Sequence, residues 1–316
     1  MMQGMKKQLN IVIIGVIILV IGSILVYVRS TSFVQKQERN SADRISVVTS
    51  FYPLYFFAKE IASESADVYN ITPSGAEPHE YEPTSQDIAS IERSNLLILN
   101  GGGLETWGES ITRNIDPNHT SIVVAGEGLI TGTFAEEGKV VADPHIWLSP
   151  VLALQMVDRI TQGFVRADPS NEALYLSNAE ALKSRLVNLD SLYTQGLATC
   201  KEKNIITSHS AFGYLAQAYG LKQVSLAGLS PDAEPSAKEL GDIATFAKEN
   251  NVKYIFFESL TSPKLAETIA KEVGAQTLAL NPIEGLTNED ISSGKDYFTE
   301  MEKNLINLKT ALQCNE

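Results

Sequence analysis

The residues best suited to chemistry in this chain are four histidines, His79, His119, His145 and His209, and two cysteines, Cys200 and Cys314. Two thiols are too few for a four-cysteine zinc module or an iron–sulfur cluster, and their spacing from the histidines does not make a zinc finger. A transition-metal site here has to be built from imidazole and carboxylate. His79 lies in Pro73-Ser-Gly-Ala-Glu-Pro-His-Glu-Tyr-Glu-Pro83, after a strand-like run. His145 lies in Asp143-Pro-His-Ile-Trp-Leu-Ser-Pro150, before a helix-like run. His209 lies in Thr207-Ser-His-Ser-Ala-Phe-Gly213, between the two kinds of run. Doubly wound α/β folds carry their sites at such loops. Each of the three has a carboxylate or hydroxyl near in sequence, suited to orienting a ring nitrogen. His119 precedes its strand, at the opposite end of the sheet, and reads as a surface histidine. The three loop histidines are 66 and 64 residues apart, so only tertiary structure can unite them.

The elements that must do so alternate along the chain. Candidate strands are residues 45–49, 66–71, 96–99, 121–124, 204–207, 222–226, 254–257 and 276–279. Candidate helices are 54–63, 83–94, 104–115, 150–167, 170–199, 211–219, 236–250, 263–273 and 295–313. Residues 125–143 read as a long Gly- and Glu-rich loop. Strands alternating with helices imply parallel sheets covered on both faces. In residues 170–199 the positions Leu182, Leu186, Leu189, Tyr193 and Leu197 recur at helical spacing, an amphipathic stripe. The expected fold is α/β: two doubly wound lobes, residues 44–168 and 201–316, joined by a long rigid helix in residues 169–200. Ligands would bind in the cleft between the lobes.

Ahead of this lies an apolar run, residues 11–28, with Lys6 and Lys7 before it. With its neutral flanks it reaches 21 residues, enough to span a bilayer. Residues 1–30 are therefore expected to be a membrane anchor or signal helix, and residues 31–43 a polar tether. The run exceeds a normal signal core, and its end is a poor cleavage site, which favours a retained anchor. Either way, the rest of the chain is exported. The formal net charge is −13. Residues 1–43 hold five basic and two acidic residues, leaving 20 basic against 36 acidic, or −16, for the exported part. So acidic a surface argues against nucleic acid as a partner. An oxidising compartment makes Cys200 and Cys314 a candidate disulfide that would tie down the C-terminus.

The chain resembles the metal-binding proteins of bacterial zinc and manganese ABC importers. The resemblance runs from about Arg44 to the C-terminus. It is carried by Ser50-Phe-Tyr-Pro-Leu54, Pro78-His-Glu-Tyr-Glu-Pro83, Asp143-Pro-His-Ile-Trp-Leu148, Ser208-His-Ser-Ala-Phe-Gly213 and Leu280-Asn-Pro-Ile-Glu-Gly-Leu286. It implies that His79, His145 and His209 are metal ligands, with one carboxylate from the last motif. Glu284 matches the glutamate of several zinc-type relatives. Asn281 stands where other relatives carry aspartate. Glu80, Glu82 and Asp143 are the competing acids, expected at the surface or behind the ligands. Three imidazoles and a carboxylate suit zinc, whereas manganese prefers more oxygen. The loop 125–143 has no histidine, unlike the histidine-rich loop of many zinc-specific relatives, which removes one argument for zinc.

The resemblance implies an extracytoplasmic receptor that captures Zn2+, with Mn2+ as the alternative, and delivers it to an ABC permease. It is expected to act as a monomer. An adhesin with an incidental metal site and a zinc hydrolase are the other readings. His79-Glu-Tyr-Glu-Pro83 starts like a zinc-protease motif but has Pro83 in place of the second histidine, and no Walker A motif occurs.

Overall fold

The computed structural model describes residues 44–136, 139–233 and 235–315. The apolar run at 11–28 and the tether lie outside them. Among the described residues no helix is long and apolar enough to cross a membrane.

Two four-stranded sheets organise the chain. The first contains β1 (Ile45–Thr49), β2 (Ala66–Asn70), β3 (Leu96–Leu99) and β4 (Ser121–Val124), in the order β2-β1-β3-β4. The second contains β7 (Asn204–Thr207), β8 (Lys222–Ser225), β9 (Tyr254–Phe257) and β10 (Gln276–Ala279), in the order β10-β9-β7-β8. Every pairing in both sheets is parallel. Counted within each set, the order is the same, with the first strand between the second and the third. The chain direction therefore switches between β1 and β3 in one sheet and between β7 and β9 in the other. That is where an open α/β sheet leaves a crevice at its strand ends. β3 is buried at all four positions, as expected of a strand covered on both faces.

Helices fill the connections: α1 (Tyr52–Ala62), α2 (Ser85–Arg93), α3 (Gly108–Thr112) and α4 (Pro150–Ala167) before the long α5 (Glu172–Leu197). After it come α6 (Gly213–Ala218), α7 (Ala237–Glu249), α8 (Lys264–Val273), α9 (Asn288–Ser292) and α10 (Tyr297–Ala311). α5 has 26 residues, or about 39 Å at the helical rise. Its stripe from Leu182 to Leu197 is buried, and it joins one hydrophobic core that takes Val47 and Leu96 from the first sheet and Ile205 and Phe256 from the second.

Three local expectations change. α2 starts at Ser85 because Thr84 accepts from the Asp87 amide while the Asp87 carboxylate reaches back to the Thr84 amide. The helix expected over 104–115 shrinks to α3. The Glu105 carboxylate folds back to accept from the Asn100 and Gly101 amides, at 2.7 and 2.9 Å, which holds the preceding residues in a turn. The loop expected over 125–143 contains an antiparallel hairpin of β5 (Thr133–Glu136) and β6 (Lys139–Ala142). Cys200 and Cys314 form a disulfide that joins the chain just beyond α5 to the chain just beyond α10.

Candidate metal centre

Strand ends and tight loops bring four side chains together. His79 comes from the loop after β2, and His145 from the segment between β6 and α4. His209 sits two residues past β7, and Glu284 five past β10. One potential donor atom from each lies within 4.8 Å of all the others. His145 Nε2 is 3.1 Å from Glu284 Oε1, and His79 Nε2 and His209 Nε2 are each 3.4 Å from that same oxygen. His79 Nε2 and His145 Nε2 are 3.2 Å apart. A tetrahedron of donors about 2.0–2.1 Å from a central ion has edges of roughly 3.3–3.4 Å. These four separations, 3.1 to 3.4 Å, are close to that.

The surroundings fix the rings. His145 Nδ1 donates to Asp143 Oδ1 at 2.7 Å, and the same oxygen accepts from the His145 amide. His209 Nδ1 donates to Glu258 Oε1 at 2.7 Å, and that oxygen also accepts from the His209 amide. A proton committed to Nδ1 leaves Nε2 with a lone pair aimed at the other ligands. His209 Nε2 is fully buried, within ion-pair reach of Glu284 but without hydrogen-bond alignment. A buried ring nitrogen left in that state requires an explanation, and a cation supplies one. His79 is less enclosed. Its side chain is 10% exposed, against 0% for His145 and His209 and 1% for Glu284.

Electrostatics reinforce the arrangement. Burial alone would lower the pKa of His145, but hydrogen bonds to Asp143 and Glu284 outweigh it and raise the value. His209 behaves likewise: burial opposes, and the charges of Glu258 and Glu284 carry it well above the usual imidazole range. Burial would raise Glu284, but the field of His209 and hydrogen bonds from the histidines hold it well below the usual carboxylate range. The pocket is thus built for an anion among cations, or for neutral imidazoles around a metal cation.

A model of the family described as zinc-uptake complex component A, periplasmic, matches residues 47–311. The chain belongs to that family. It is 43% identical over 284 residues to the high-affinity zinc uptake system protein ZnuA of Bacillus subtilis (strain 168), covering 86% of this chain and 89% of the relative. It is 38% identical over 283 residues to the zinc-binding lipoprotein AdcA of Streptococcus pneumoniae (strain ATCC BAA-255 / R6), and spans only 56% of that longer protein. The crystal structure of the Zn(II)-bound ZnuA-like domain of Streptococcus pneumoniae AdcA matches with a TM-score of 0.75 at 40% identity, covering 85% of this chain and 99% of that one.

In this member of the zinc-uptake family the remaining sequence candidates fall outside the cluster. His119, Glu80 and Glu82 are exposed. Asp143 stands behind His145 rather than beside it. Asn281 turns its carboxamide toward Ile283 and Glu300. The orienting groups expected near each histidine in sequence hold only for His145. For His209 the orienting group is Glu258, 49 residues away and one past the end of the neighbouring strand, because the adjacent ends of β7 and β9 bring the two together. Its only sequence signal is a charge directly after the apolar strand Tyr254–Phe257. Glu77 is a second omission. It accepts from the His79 amide at 3.2 Å, and its other oxygen is buried without a partner. Burial, and then the Glu284 charge, push its pKa up to about 9.

Tyr214 of α6 ties the His145 segment to the second half of the chain. Its hydroxyl accepts from the Thr131 and Gly132 amides and donates to the Asp143 carbonyl. The approach is close enough that a Cβ on Gly213 would lie 2.8 Å from Asp143 Oδ2.

Proposed function

We infer that this protein captures Zn2+ outside the cytoplasm and delivers it to a membrane ABC importer, with His79, His145, His209 and Glu284 as the ligands. The observation that carries this reading is the cluster itself: three imidazole nitrogens and one carboxylate oxygen within 4.8 Å of one another, with His209 Nε2 buried and without a hydrogen-bond partner. The family supports it, being one of substrate-binding receptors rather than enzymes. The ion is cargo, so the site has to combine tight capture with release at the permease.

The chain is organised as lobes at residues 44–168 and 201–316 on either side of a spine at 169–200. Support comes from the matching strand orders and from the continuous core along α5. A spine whose buried stripe is packed into a core shared with both sheets limits motion to small rocking and loop ordering. The protein works as a monomer held at the membrane by residues 1–30, with residues 31–43 as a tether. The length of the apolar run and its poor cleavage site support retention.

The test is metal analysis and competitive titration of the exported fragment, with zinc against manganese. One equivalent of tightly and reversibly bound zinc, displaced poorly by manganese, is the expected result. Absence of high-affinity binding of either ion overturns the reading.

A further inference from the structure

The four proposed ligands do not explain how Glu284 reaches its place. It follows Ile283, whose φ is +58°. A β-branched residue is a genuine outlier in the left-handed region and stays there only when its surroundings hold it. Ile283 is fully buried, so water does not relieve the backbone. The holding group is Asn281. Its Oδ1 accepts from the Ile283 amide at 2.8 Å, closing a turn across Pro282, which has no amide proton to offer. Its Nδ2 donates to Glu300 Oε2 on α10 at 3.0 Å. Asn304, one helical turn further along α10, grips the same residue by its backbone. The Asn281 amide donates to Asn304 Oδ1 at 2.8 Å, and Asn304 Nδ2 donates to the Asn281 carbonyl at 2.6 Å. A third hold comes from the first half of the chain: Trp147 Nε1 donates to the Pro282 carbonyl at 2.7 Å. Asn281, Glu300 and Asn304 are all at least 95% buried.

Resting on the reading of Glu284 as a ligand, we propose that Asn281, Glu300 and Asn304 are positioning residues that lock Ile283 in the left-handed conformation and so aim the Glu284 carboxylate at the three histidines before the ion arrives. Asparagine is the residue type this position demands. One end must accept from an amide, and the other must donate to a carboxylate. Aspartate can do the first but not the second, and it would set two carboxylates against each other in a buried space. The network therefore acts on affinity and coordination number through Glu284, and touches no metal itself.

The experiment compares three variants of the exported fragment by competitive zinc titration, visible absorption of the Co2+-loaded protein, and thermal melting. Glu284→Gln tests the ligand assignment. A loss of well over a hundredfold in zinc affinity is expected, and no loss overturns the functional reading itself. Asn281→Asp tests the positioning. It is expected to weaken zinc about 10–100-fold, the usual range for an outer partner of a ligand. The Co2+ spectrum should lose the intensity that marks four-coordination. The double variant Asn281→Asp with Glu300→Gln restores a donor facing the new carboxylate. It should recover affinity and Co2+ spectrum to within about threefold of the parent. If Glu284→Gln weakens binding but Asn281→Asp does not, or the double variant is no better than the single, the positioning proposal is wrong. Should Asn281→Asp fail to fold, Asn281→Ser removes the Glu300 bond without adding charge. It is expected to lose about tenfold in affinity, and an unchanged affinity and Co2+ spectrum again overturn the proposal.

Discussion

His145 and His209 are prepared for a metal in a way that His79 is not. The first two are completely buried, and each is tied through Nδ1 to a carboxylate at 2.7 Å. His79 Nδ1 has no hydrogen-bond partner among the described residues, and Glu77, two residues before it, accepts from its backbone amide rather than from the ring. Of the three proposed histidine ligands, two therefore have a partner that orients the ring in advance, and His79 does not. Preorganisation reduces the ordering cost of binding. The site thus has a rigid floor of His145, His209 and Glu284 and one adjustable side.

Removing a floor ligand should do the most damage. His145→Ala and His209→Ala are expected to cost far more than about a hundredfold in zinc affinity, His79→Ala less, and His119→Ala nothing. Competitive titration measures all four. Equal losses for His79 and His209 would erase the distinction, and a loss for His119 would undo the ligand assignment.

The carboxylates behind the rings come next. Asp143→Asn and Glu258→Gln each replace a charged acceptor and should cost about 10–100-fold. Glu77→Gln should cost no more than about threefold, since Glu77 accepts from the His79 backbone amide and does not touch the ring. If Glu77→Gln proves as harmful as Glu258→Gln, His79 is as firmly prepared as the others.

The gentlest probe is pH. His145 and His209 hold their protons more tightly than a free imidazole with a pKa of about 6.5. Each must lose its proton from Nε2 to bind zinc, so affinity falls with falling pH and begins to fall above about pH 6.5. Without metal the dependence reverses. A raised folded pKa contributes stability that is fully present below about pH 6.5 and disappears as pH rises through the folded value. Melting of the metal-free protein should therefore decline as pH rises above about 6.5, while the stabilisation by zinc grows. Affinity that stays flat between about pH 5 and 7.5 would rule out histidine ligation.

The parts of the molecule that were legible in sequence share a physical basis. Strands such as Leu96–Leu99 and Asn204–Thr207 are short apolar runs bounded by turn residues, and their limits follow from that contrast. α5 was legible because its buried stripe repeats at helical spacing. The hairpin β5–β6 was not, since each of its strands is only four residues long and lies within a Gly- and Glu-rich stretch that reads as loop. α3 ended short because one side chain, Glu105, bonds the backbone behind it, which no periodicity reveals. At the site, the three histidines and Glu284 stood in loops beside recognisable elements. Glu258 and the Asn281–Glu300–Asn304 network depend on which strands and helices become neighbours, a property of the topology rather than of any local pattern.

The bridge from Cys200 to Cys314 spans 114 residues, enclosing both β7 and β10 and therefore the loops bearing His209 and Glu284. Closing a ring of that size removes unfolded-state entropy worth about 4–5 kcal/mol in the chain-entropy picture. Thiols stay reduced in a typical cytosol and are oxidised beyond it. The newly made chain would thus be at its loosest while it still has to be threaded across the membrane. The covalent ring that makes unfolding costly closes only on the far side, where the captured metal is to be held.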